Sequence, residues 1–296
     1  MTHEARTTLI APSMRIGTRT FVWATRTYLM GVINVSPDSF SGDGLASVDA
    51  AVEQARRFVD EGADILDVGG QSTRPGTNKT DAGFDEIAPE EEIRRVVPVI
   101  ERLRAALPEV PISVDTYKPD VARAAIAAGA HMLNNIWGFR RDASLAQIAA
   151  EARVPAVVMH NQRGRAADDV MAACIDGLRE SMRIAAASGV DASMLIADPG
   201  FGFGWRPEQN MEMLRRLAEL RTLGLPILVG TSRKSTIGTV LGGAPVEERI
   251  FGTAASVAIA IANGADIVRV HDVSAMKQVA LVADAIVRAP RAGDSE

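Results

Sequence analysis

The sequence lacks the features that mark several classes of protein. It has one cysteine, Cys174, among 296 residues, so no disulfide can form within the chain and we expect a reducing compartment, the cytoplasm. Its N-terminal segment MTHEARTTLI has no long apolar core, and we identify neither a signal peptide nor a membrane-spanning run. The net charge of −5 argues against a general nucleic-acid or anionic-membrane surface. Any anion site must therefore be a local patch.

Familiar catalytic motifs are also missing. The sequence contains no catalytic-triad signature, no Cys-x-x-Cys pair and no Walker loop, and no G-x-G-x-x-G follows the first predicted strand. The GFGFG segment at 200–204 is too short for a dinucleotide cradle and predicts a tight turn from strand to helix. Cys174 lies in a helical pattern, which favours a buried small side chain over a nucleophile.

From residue 27 onward the chain alternates short apolar runs with longer Ala-rich segments. The apolar runs indicate strands buried on both faces, as in a parallel sheet, and the Ala-rich segments have helical periodicity. Eight such units predict an α/β protein with the (β/α)₈ barrel fold rather than a doubly wound open sheet. The predicted strands occupy 28–35, 63–70, 111–116, 131–137, 155–160, 194–200, 226–232 and 266–272. The predicted helices occupy 47–61, 87–106, 119–128, 143–152, 167–188, 208–221, 246–262 and 275–288.

The chain ahead of the barrel predicts a small β-hairpin. Residues 15–24 read RIGTRTFVWA, with a turn at Gly17 and Thr18, and we expect the hairpin to cover one end of the barrel. No linker or low-complexity segment indicates a second domain. We therefore divide the chain into an extension over 1–26, a barrel over 27–290 and a frayed tail over 291–296.

Polar residues end nearly every predicted strand, and the carboxyl ends of barrel strands are where such enzymes have their active sites. This pattern predicts a ring of donors and acceptors around one pocket. One group of these residues offers acceptors, an amide and an ammonium, which suit a flat heterocycle carrying N–H groups and a carbonyl. This group consists of Asp115, Asn134, Asp198 and Lys234.

A second group suits an anion. Arg269 and His271 are separated by one residue on a predicted strand, so their side chains point to the same face. They suit an oxyanion, although a structural ion pair with a carboxylate such as Asp272 is the alternative. Asn34 offers a hard oxygen ligand, and Mg²⁺ combines few protein ligands with substrate phosphate oxygens. A turn-capping amide is the alternative for Asn34.

Other polar residues leave two interpretations open. His160, at the end of the fifth predicted barrel strand, is either a base or a packed, hydrogen-bonded histidine. Ser235 begins a short helix-like stretch, whose N-terminus suits a carboxylate or phosphate; a plain N-cap serine is the alternative. The long loops after the first two barrel strands are expected to act as lids, with Thr73, Arg74 and Pro75 closing over a second substrate.

Eight segments together resemble the dihydropteroate synthase family. They are MGVINVSPDSFS (30–41), DVGGQSTRPG (67–76), ISVDTYK (112–118), LNNIWG (133–138), VVMH (157–160), DPGFGFG (198–204), LVGTSRKS (228–235) and VRVHDV (268–273). The resemblance implies a pterin-binding barrel that joins p-aminobenzoate to (7,8-dihydropterin-6-yl)methyl diphosphate and releases pyrophosphate. It also implies Mg²⁺ as cofactor and a homodimer.

The resemblance further implies a role for each matching residue. The pterin would contact Asp115, Asn134, Asp198 and Lys234, and the diphosphate with Mg²⁺ would contact Asn34, Arg269 and His271. The p-aminobenzoate site would contain Phe40, Thr73, Arg74 and Pro75, with Ser235 near the carboxylate, while the loop carrying Asp38 would help to exclude water. Asp115, Lys234, Arg269 and His271 are the predicted catalytic residues.

The sequence departs from the family pattern at several positions. Gln71 stands where the family usually has Glu, Asn135 where an Asp is usual, and Trp205 where a Lys is frequent. Two alternatives therefore stay open: a pterin barrel that passes a methyl group to a corrinoid protein, and a non-catalytic pterin-binding paralogue. The combination of PDSF, STRPG and the Arg-x-His pair argues against the first, and the intact polar ring argues against the second.

Overall fold

A computed structural model describes residues 9–35, 47–73 and 85–288. Within these ranges two antiparallel strands, β1 (Ser13–Ile16) and β2 (Arg19–Val22), precede eight parallel strands. The parallel strands are β3 (Tyr28–Asn34), β4 (Ile65–Gly69), β5 (Ile112–Asp115), β6 (Met132–Asn135), β7 (Ala156–Met159), β8 (Leu195–Asp198), β9 (Leu228–Val229) and β10 (Ile267–Val270). Each lies inside a predicted strand, so the predicted positions are confirmed.

The parallel strands form a nearly closed barrel. Their order in the sheet is β8-β7-β6-β5-β4-β3-β10-β9, so each strand lies beside its neighbour in sequence and β10 returns to pair with β3. A parallel bridge between Ala197 and Ile227 joins β8 to the chain entering β9. Val32 and Ile33 on β3, like the residues on most of the other strands, are buried, as expected for a sheet with helices outside it.

Helices follow the strands in the predicted order. They are α1 (Val48–Asp60), α2 (Pro89–Ala106), α3 (Pro119–Ala127), α4 (Ser144–Ala152), α5 (Val170–Ala187), α6 (Pro207–Arg215), α7 (Ser235–Val240), α8 (Ile250–Ala262) and α9 (Val273–Val287). The predicted helix 208–221 is divided, because α6 ends at Arg215 and a 3₁₀ helix covers Leu217–Leu223. Leu217, Leu220 and Leu223 are buried at intervals of three residues, which matches the 3₁₀ repeat.

The N-terminal hairpin closes the bottom of the barrel, as predicted. Ile16 and Phe21 are fully buried and pack in one cluster with the first residues of the barrel strands, including Ile65, Met132 and Ile267. The hairpin therefore covers the amino ends of the strands and leaves their carboxyl ends open. Among the residues that the structure describes, no helix combines the length and apolarity needed to span a membrane.

Candidate active site

A cavity of about 410 Å³ opens at the carboxyl ends of the barrel strands. Every predicted site residue that the structure describes lines it, although these residues come from seven different parts of the chain. They are Asn34, Thr73, Asp115, Asn134, Asp198, Lys234, Ser235, Arg269 and His271. Asp38, Phe40, Arg74 and Pro75 lie outside the described residues.

Arg269 is held between two carboxylates at the base of this cavity. Its Nε donates to Asp67 Oδ2 at 2.7 Å, and its Nη2 donates to Asp115 Oδ2 at 2.8 Å. Burial lowers the pKa of the guanidinium, but the two carboxylates outweigh burial and raise it above the usual value. The structural ion pair considered for Arg269 is therefore present, but its partners are Asp67 and Asp115. Asp272, the carboxylate named as the example, instead accepts from Arg233 at 2.5 and 3.0 Å.

Asp67 was missed by the sequence analysis. It is fully buried on β4, and its Oδ2 also accepts from Asn134 Nδ2 at 2.9 Å, while its Oδ1 has no hydrogen-bond partner within the described ranges. The available signal was strand alternation, since Asp67 and Gly69 share a face of β4 and Gly69 lines the cavity. One guanidinium charge, that of Arg269, therefore neutralises only part of the charge of the two carboxylates Asp67 and Asp115.

The environment of Asp115 raises the pKa of its carboxyl. Burial raises the pKa of its carboxyl to about 7, with Arg269 opposing the shift and the nearby Asp67 adding to it. Asp198 is similar, because burial raises its pKa to about 6 although its Oδ1 accepts from the backbone N–H of Gly200 at 2.8 Å. These two carboxyls change charge close to neutral pH, which is frequent among groups that handle substrates.

Lys234 is partly buried and lies beside an aromatic ring. Its Nζ donates to the carbonyl of Phe201 at 2.5 Å and lies 4.3 Å from the centre of the Phe203 ring. Burial lowers the pKa of this ammonium to about 7, while the charge of Asp198 opposes the shift. The GFGFG segment is the predicted tight turn, since Gly200, Gly202 and Gly204 have φ of 76°, 81° and 87°. The turn brings Phe203 to the cavity, a contact that the sequence analysis did not predict.

Arg163 is a second cavity residue that the sequence analysis missed. Its Nη2 donates to the carbonyl of Thr73 at 2.7 Å, and its guanidinium lies 4.9 Å from the centre of the Phe203 ring. Burial lowers its pKa to about 10. A charged residue in the NQRGR segment that follows β7 was the available signal.

His271 and Ser235 occupy the rim of the site. His271 Nδ1 lies 3.0 Å from Ser232 Oγ, which orients the imidazole. Ser235 is the first residue of α7, and the N-cap position belongs to Lys234. The alternative interpretation of Ser235 as a plain N-cap is therefore wrong, and the residue is among those that line the cavity.

His160 is a packed histidine. It is buried, its Nε2 lies 2.8 Å from Gln162 Oε1, and its ring stacks on Trp205 with centres 5.6 Å apart. Burial lowers its pKa to about 4. His160 is not among the described residues that line the cavity at the strand ends, so the base hypothesis for this residue is not supported. Trp205, one of the departures from the family pattern, supplies its stacking partner.

Asn34 is the one predicted metal ligand, and it lines the cavity at the end of β3. In the described parts of the chain, no group of three or more His, Cys, Asp or Glu side chains is arranged to hold a metal ion. A cage built from protein ligands alone is therefore not found there. Asn34 supplies one hard oxygen, the kind of donor that Mg²⁺ accepts when water and substrate oxygens are its other ligands.

Comparison with known proteins places this site in a family. The family described as pterin binding enzymes matches residues 30–271. The dihydropteroate synthase of Clostridium beijerinckii is 46% identical over 277 residues, which cover 93% of this chain and all of the relative. The chain belongs to the dihydropteroate synthase family.

Solved structures of the family agree with this assignment. The enzyme from Clostridium difficile, crystallised in the presence of pteroic acid, is 46% identical with a TM-score of 0.83 over 91% of this chain and 100% of that one. The Xanthomonas albilineans enzyme with 4-aminobenzoic acid is 42% identical with a TM-score of 0.85 over 94% and 99% of the two chains. The sequence-based fold and family predictions are thereby confirmed.

Proposed function

We propose that this chain condenses p-aminobenzoate with (7,8-dihydropterin-6-yl)methyl diphosphate to give 7,8-dihydropteroate and pyrophosphate, a step of folate biosynthesis. The observation that carries the proposal is the convergence of nine predicted side chains on one cavity at the barrel's open end. Family membership over nearly the whole chain supports the same reaction.

The pterin is assigned to the deep part of the cavity. Asp115, Asp198 and the side-chain oxygen of Asn134 are acceptors for ring N–H groups, and Lys234 is a donor for the ring carbonyl. Asp67 binds Arg269 and Asn134, so Asp115 retains acceptor capacity for the ligand beyond its single bond from Arg269. The ring of Phe203 lies beside Lys234 and offers an apolar face to a flat heterocycle.

The diphosphate is assigned to Arg269, His271 and Asn34. Breaking the bond between the pterin methylene carbon and the diphosphate oxygen leaves negative charge on that oxygen, which the Arg269 guanidinium stabilises. Mg²⁺, when bound through Asn34 and the substrate, supplies further charge neutralisation. The methylene carbon then forms a bond to the amine nitrogen of p-aminobenzoate, and that nitrogen loses a proton to solvent. A neutral aromatic amine is already nucleophilic, so positioning it matters more than a strong base.

The p-aminobenzoate is assigned to the rim of the cavity. Thr73 and Ser235 line the rim in the structure, with Ser235 proposed to lie near the carboxylate. Phe40, Arg74, Pro75 and Asp38 belong to the same proposal but fall outside the described residues. We further propose that residues 27–290 form one pterin-binding unit and that 1–26 serve as an extension carrying the hairpin.

We propose a homodimer formed through α8 and α9. Phe251 on α8 is 84% exposed and Ile286 on α9 is 75% exposed, and these helices pack side by side. Leu281 and Val282 on α9 are exposed as well, and several exposed apolar side chains on neighbouring helices favour association with another chain. We also assign the chain to the cytoplasm, since its single cysteine is buried and suits a reducing compartment.

Pyrophosphate release with Mg²⁺, measured with and without p-aminobenzoate, tests the reaction. We expect release that depends on p-aminobenzoate and yields dihydropteroate. Arg269→Lys keeps the charge but cannot span two carboxylates, so we expect at least a tenfold lower kcat in that variant. Arg123→Lys, at an exposed ion pair on α3, is the matched control. Tight pterin binding without release would instead support the non-catalytic paralogue, and methyl transfer to a corrinoid acceptor would support the other alternative.

A further inference from the structure

A buried ammonium group lies next to the active site without lining its cavity. Lys118 is the last residue before α3, three positions after the end of β5, and is only 8% exposed. Its Nζ donates to three oxygens, at 2.6 Å to Gln71 Oε1, 2.7 Å to the carbonyl of Ile87 and 2.7 Å to Glu92 Oε2. An ammonium has three hydrogens, so this arrangement uses its full donor capacity.

The counterion of Lys118 is equally buried. Glu92 on α2 is 1% exposed, so both members of the pair have lost their hydration. Burying such a pair seldom stabilises a fold more than apolar side chains of the same volume would. The pair does, however, orient the groups that are hydrogen-bonded to Lys118, namely the side chain of Gln71 and the carbonyl of Ile87. This favours a role in geometry over a role in stability.

Of the groups that Lys118 orients, the side chain of Gln71 is the one at the active-site cavity. It lines the active-site cavity, and its Oε1 accepts from Lys118 and, at 3.4 Å, from the backbone N–H of Ile87. Its Nε2 donates to the carbonyl of Asp85 at 3.1 Å and to the Tyr117 hydroxyl at 3.2 Å. One side chain thus joins residues 71–73 to residues 85–87 and to the end of β5.

Thr73 is held from the opposite side as well. It lies two residues after Gln71, and its carbonyl accepts from Arg163 Nη2 at 2.7 Å. The short segment 71–73 is therefore fixed between Lys118, acting through Gln71, and Arg163. Both Gln71 and Thr73 face the cavity, so any change in this segment changes the shape of the rim.

We propose that Lys118, with Glu92 as its counterion, is a positioning residue that sets the rim of the p-aminobenzoate site through Gln71. The proposal rests on the function given above, because it uses the assignment of Thr73 to that substrate. It also accounts for the glutamine at position 71, which departs from the usual glutamate. An amide offers Lys118 an acceptor and Asp85 a donor, whereas a carboxylate would turn an acceptor toward the Asp85 carbonyl.

The variant Gln71→Leu keeps the volume and removes the connection, while the charge of Lys118 keeps its counterion Glu92. One N–H of the Lys118 ammonium loses its acceptor in this variant. We expect the KM for p-aminobenzoate to rise at least tenfold while the KM for the pterin diphosphate changes less than twofold. Lys118→Met should give the same pattern, together with lost stability from the unpaired Glu92. The double variant Lys118→Met with Glu92→Leu should recover stability but not the KM for p-aminobenzoate.

Hydrogen–deuterium exchange separates this proposal from the proposed function, because it needs no turnover. Exchange at residues 71–73 and 85–87 should be faster in Gln71→Leu and in the double variant than in the wild type, and unchanged in the control Arg123→Met. An inactive wild type would overturn the proposed function and leave the exchange result to decide the positioning role. Unchanged exchange in Gln71→Leu, a normal p-aminobenzoate KM, or equal rises in both KM values would overturn that role.

Discussion

Several ionisable residues of the site lie where burial raises the free energy of their charged forms. Asp115, Asp198 and Lys234 all have pKa values between about 6 and 7, each displaced toward neutrality by burial. A ligand with N–H donors and a carbonyl restores the interactions that these groups lost with water. The cavity therefore favours a flat polar heterocycle over an apolar ligand of the same size.

The carboxyl of Asp198 should impose a pH dependence on stability. Its folded pKa of about 6 is above the ordinary 3.8, so between these values the folded state binds more protons than the unfolded state. The free energy of unfolding therefore falls as pH rises through this window, by roughly 3 kcal/mol at 1.36 kcal/mol per pKa unit. Asp198→Asn keeps the oxygen that accepts from Gly200 but cannot ionise.

We expect the difference in stability between Asp198→Asn and the wild type to grow in favour of the variant from pH 4 to pH 7. Urea denaturation at intervals of half a pH unit measures this difference. Asp191→Asn is the control, since Asp191 is exposed and its carboxyl has a lowered pKa. A pH-independent difference between Asp198→Asn and the wild type would mean that Asp198 is not protonated in the folded state.

The sequence predicted the residues at strand ends better than the residues that reach the cavity from elsewhere. Asp115, Asn134 and Arg269 follow from strand alternation and from the rule that barrel sites lie at the carboxyl ends. Arg163 contacts Thr73 across 90 residues of sequence, a contact that no local pattern encodes. The same is true of the Gln71 network, because its partners Asp85, Ile87 and Lys118 are brought together only by the folded barrel.

At the scale of elements, periodicity fixed the position of each barrel strand and the order of the helices, because burial on one or both faces leaves a clear pattern. The limits were less predictable. The predicted strand at 226–232 is observed only over Leu228–Val229, because several of the residues that follow line the cavity instead of pairing in the sheet. Helix α8 begins only at Ile250, after a 3₁₀ turn over Val246–Arg249.

The turn after β8 is the element on which the site depends most directly. Gly200 has a φ of 76°, and a Cβ there would lie 1.9 Å from the carbonyl oxygen of His160. Gly164 has a similar φ of 72° but no atom within 4 Å of such a Cβ. Alanine substitutions at these two positions therefore distinguish the destabilisation caused by a left-handed backbone from that caused by a steric clash.

We expect Gly164→Ala to destabilise the protein by about 1–2 kcal/mol, the cost of left-handed backbone for a residue with a Cβ. Gly200→Ala should cost more than 3 kcal/mol, because a steric clash adds to the same backbone cost, and it should also weaken pterin binding through displacement of Phe203 and Lys234. Thermal unfolding and pterin titration measure the two effects. Equal destabilisation by both substitutions would contradict the clash at Gly200.

At the scale of the whole molecule, the two ends of the barrel differ in structure: one end is filled with apolar side chains and the other carries the cavity. The hairpin fills the amino end with Phe21, Trp23 and neighbouring apolar side chains, whereas the carboxyl end is polar and open. Changes at one end should therefore affect stability without altering substrate recognition at the other. The exposed apolar side chains of α8 and α9 lie on the outer layer of helices, where we propose the dimer interface.

The proposed dimer can be tested by a charge on this surface. We expect Ile286→Asp to convert the dimer into a monomer with little change in secondary structure, because a buried aspartate without a partner opposes association. Sedimentation velocity at several concentrations measures the change. Val22→Asp, at an exposed position of the hairpin, is the matched control. A wild type that sediments as a monomer, or an Ile286→Asp variant that remains dimeric, would argue against this interface.

The pair of bonds from Arg269 has a consequence for biosynthesis of the chain itself. Arg269 on β10 joins Asp67 and Asp115, which precede it by 202 and 154 residues. A nascent chain still attached to the ribosome through its last strand has both carboxylates but not their cation. Such a chain lacks the cation of the proposed diphosphate site, so we expect no stabilisation by diphosphate through Arg269 at that stage of synthesis. The charge balance between Arg269, Asp67 and Asp115 is therefore complete only once β10 has paired with β3.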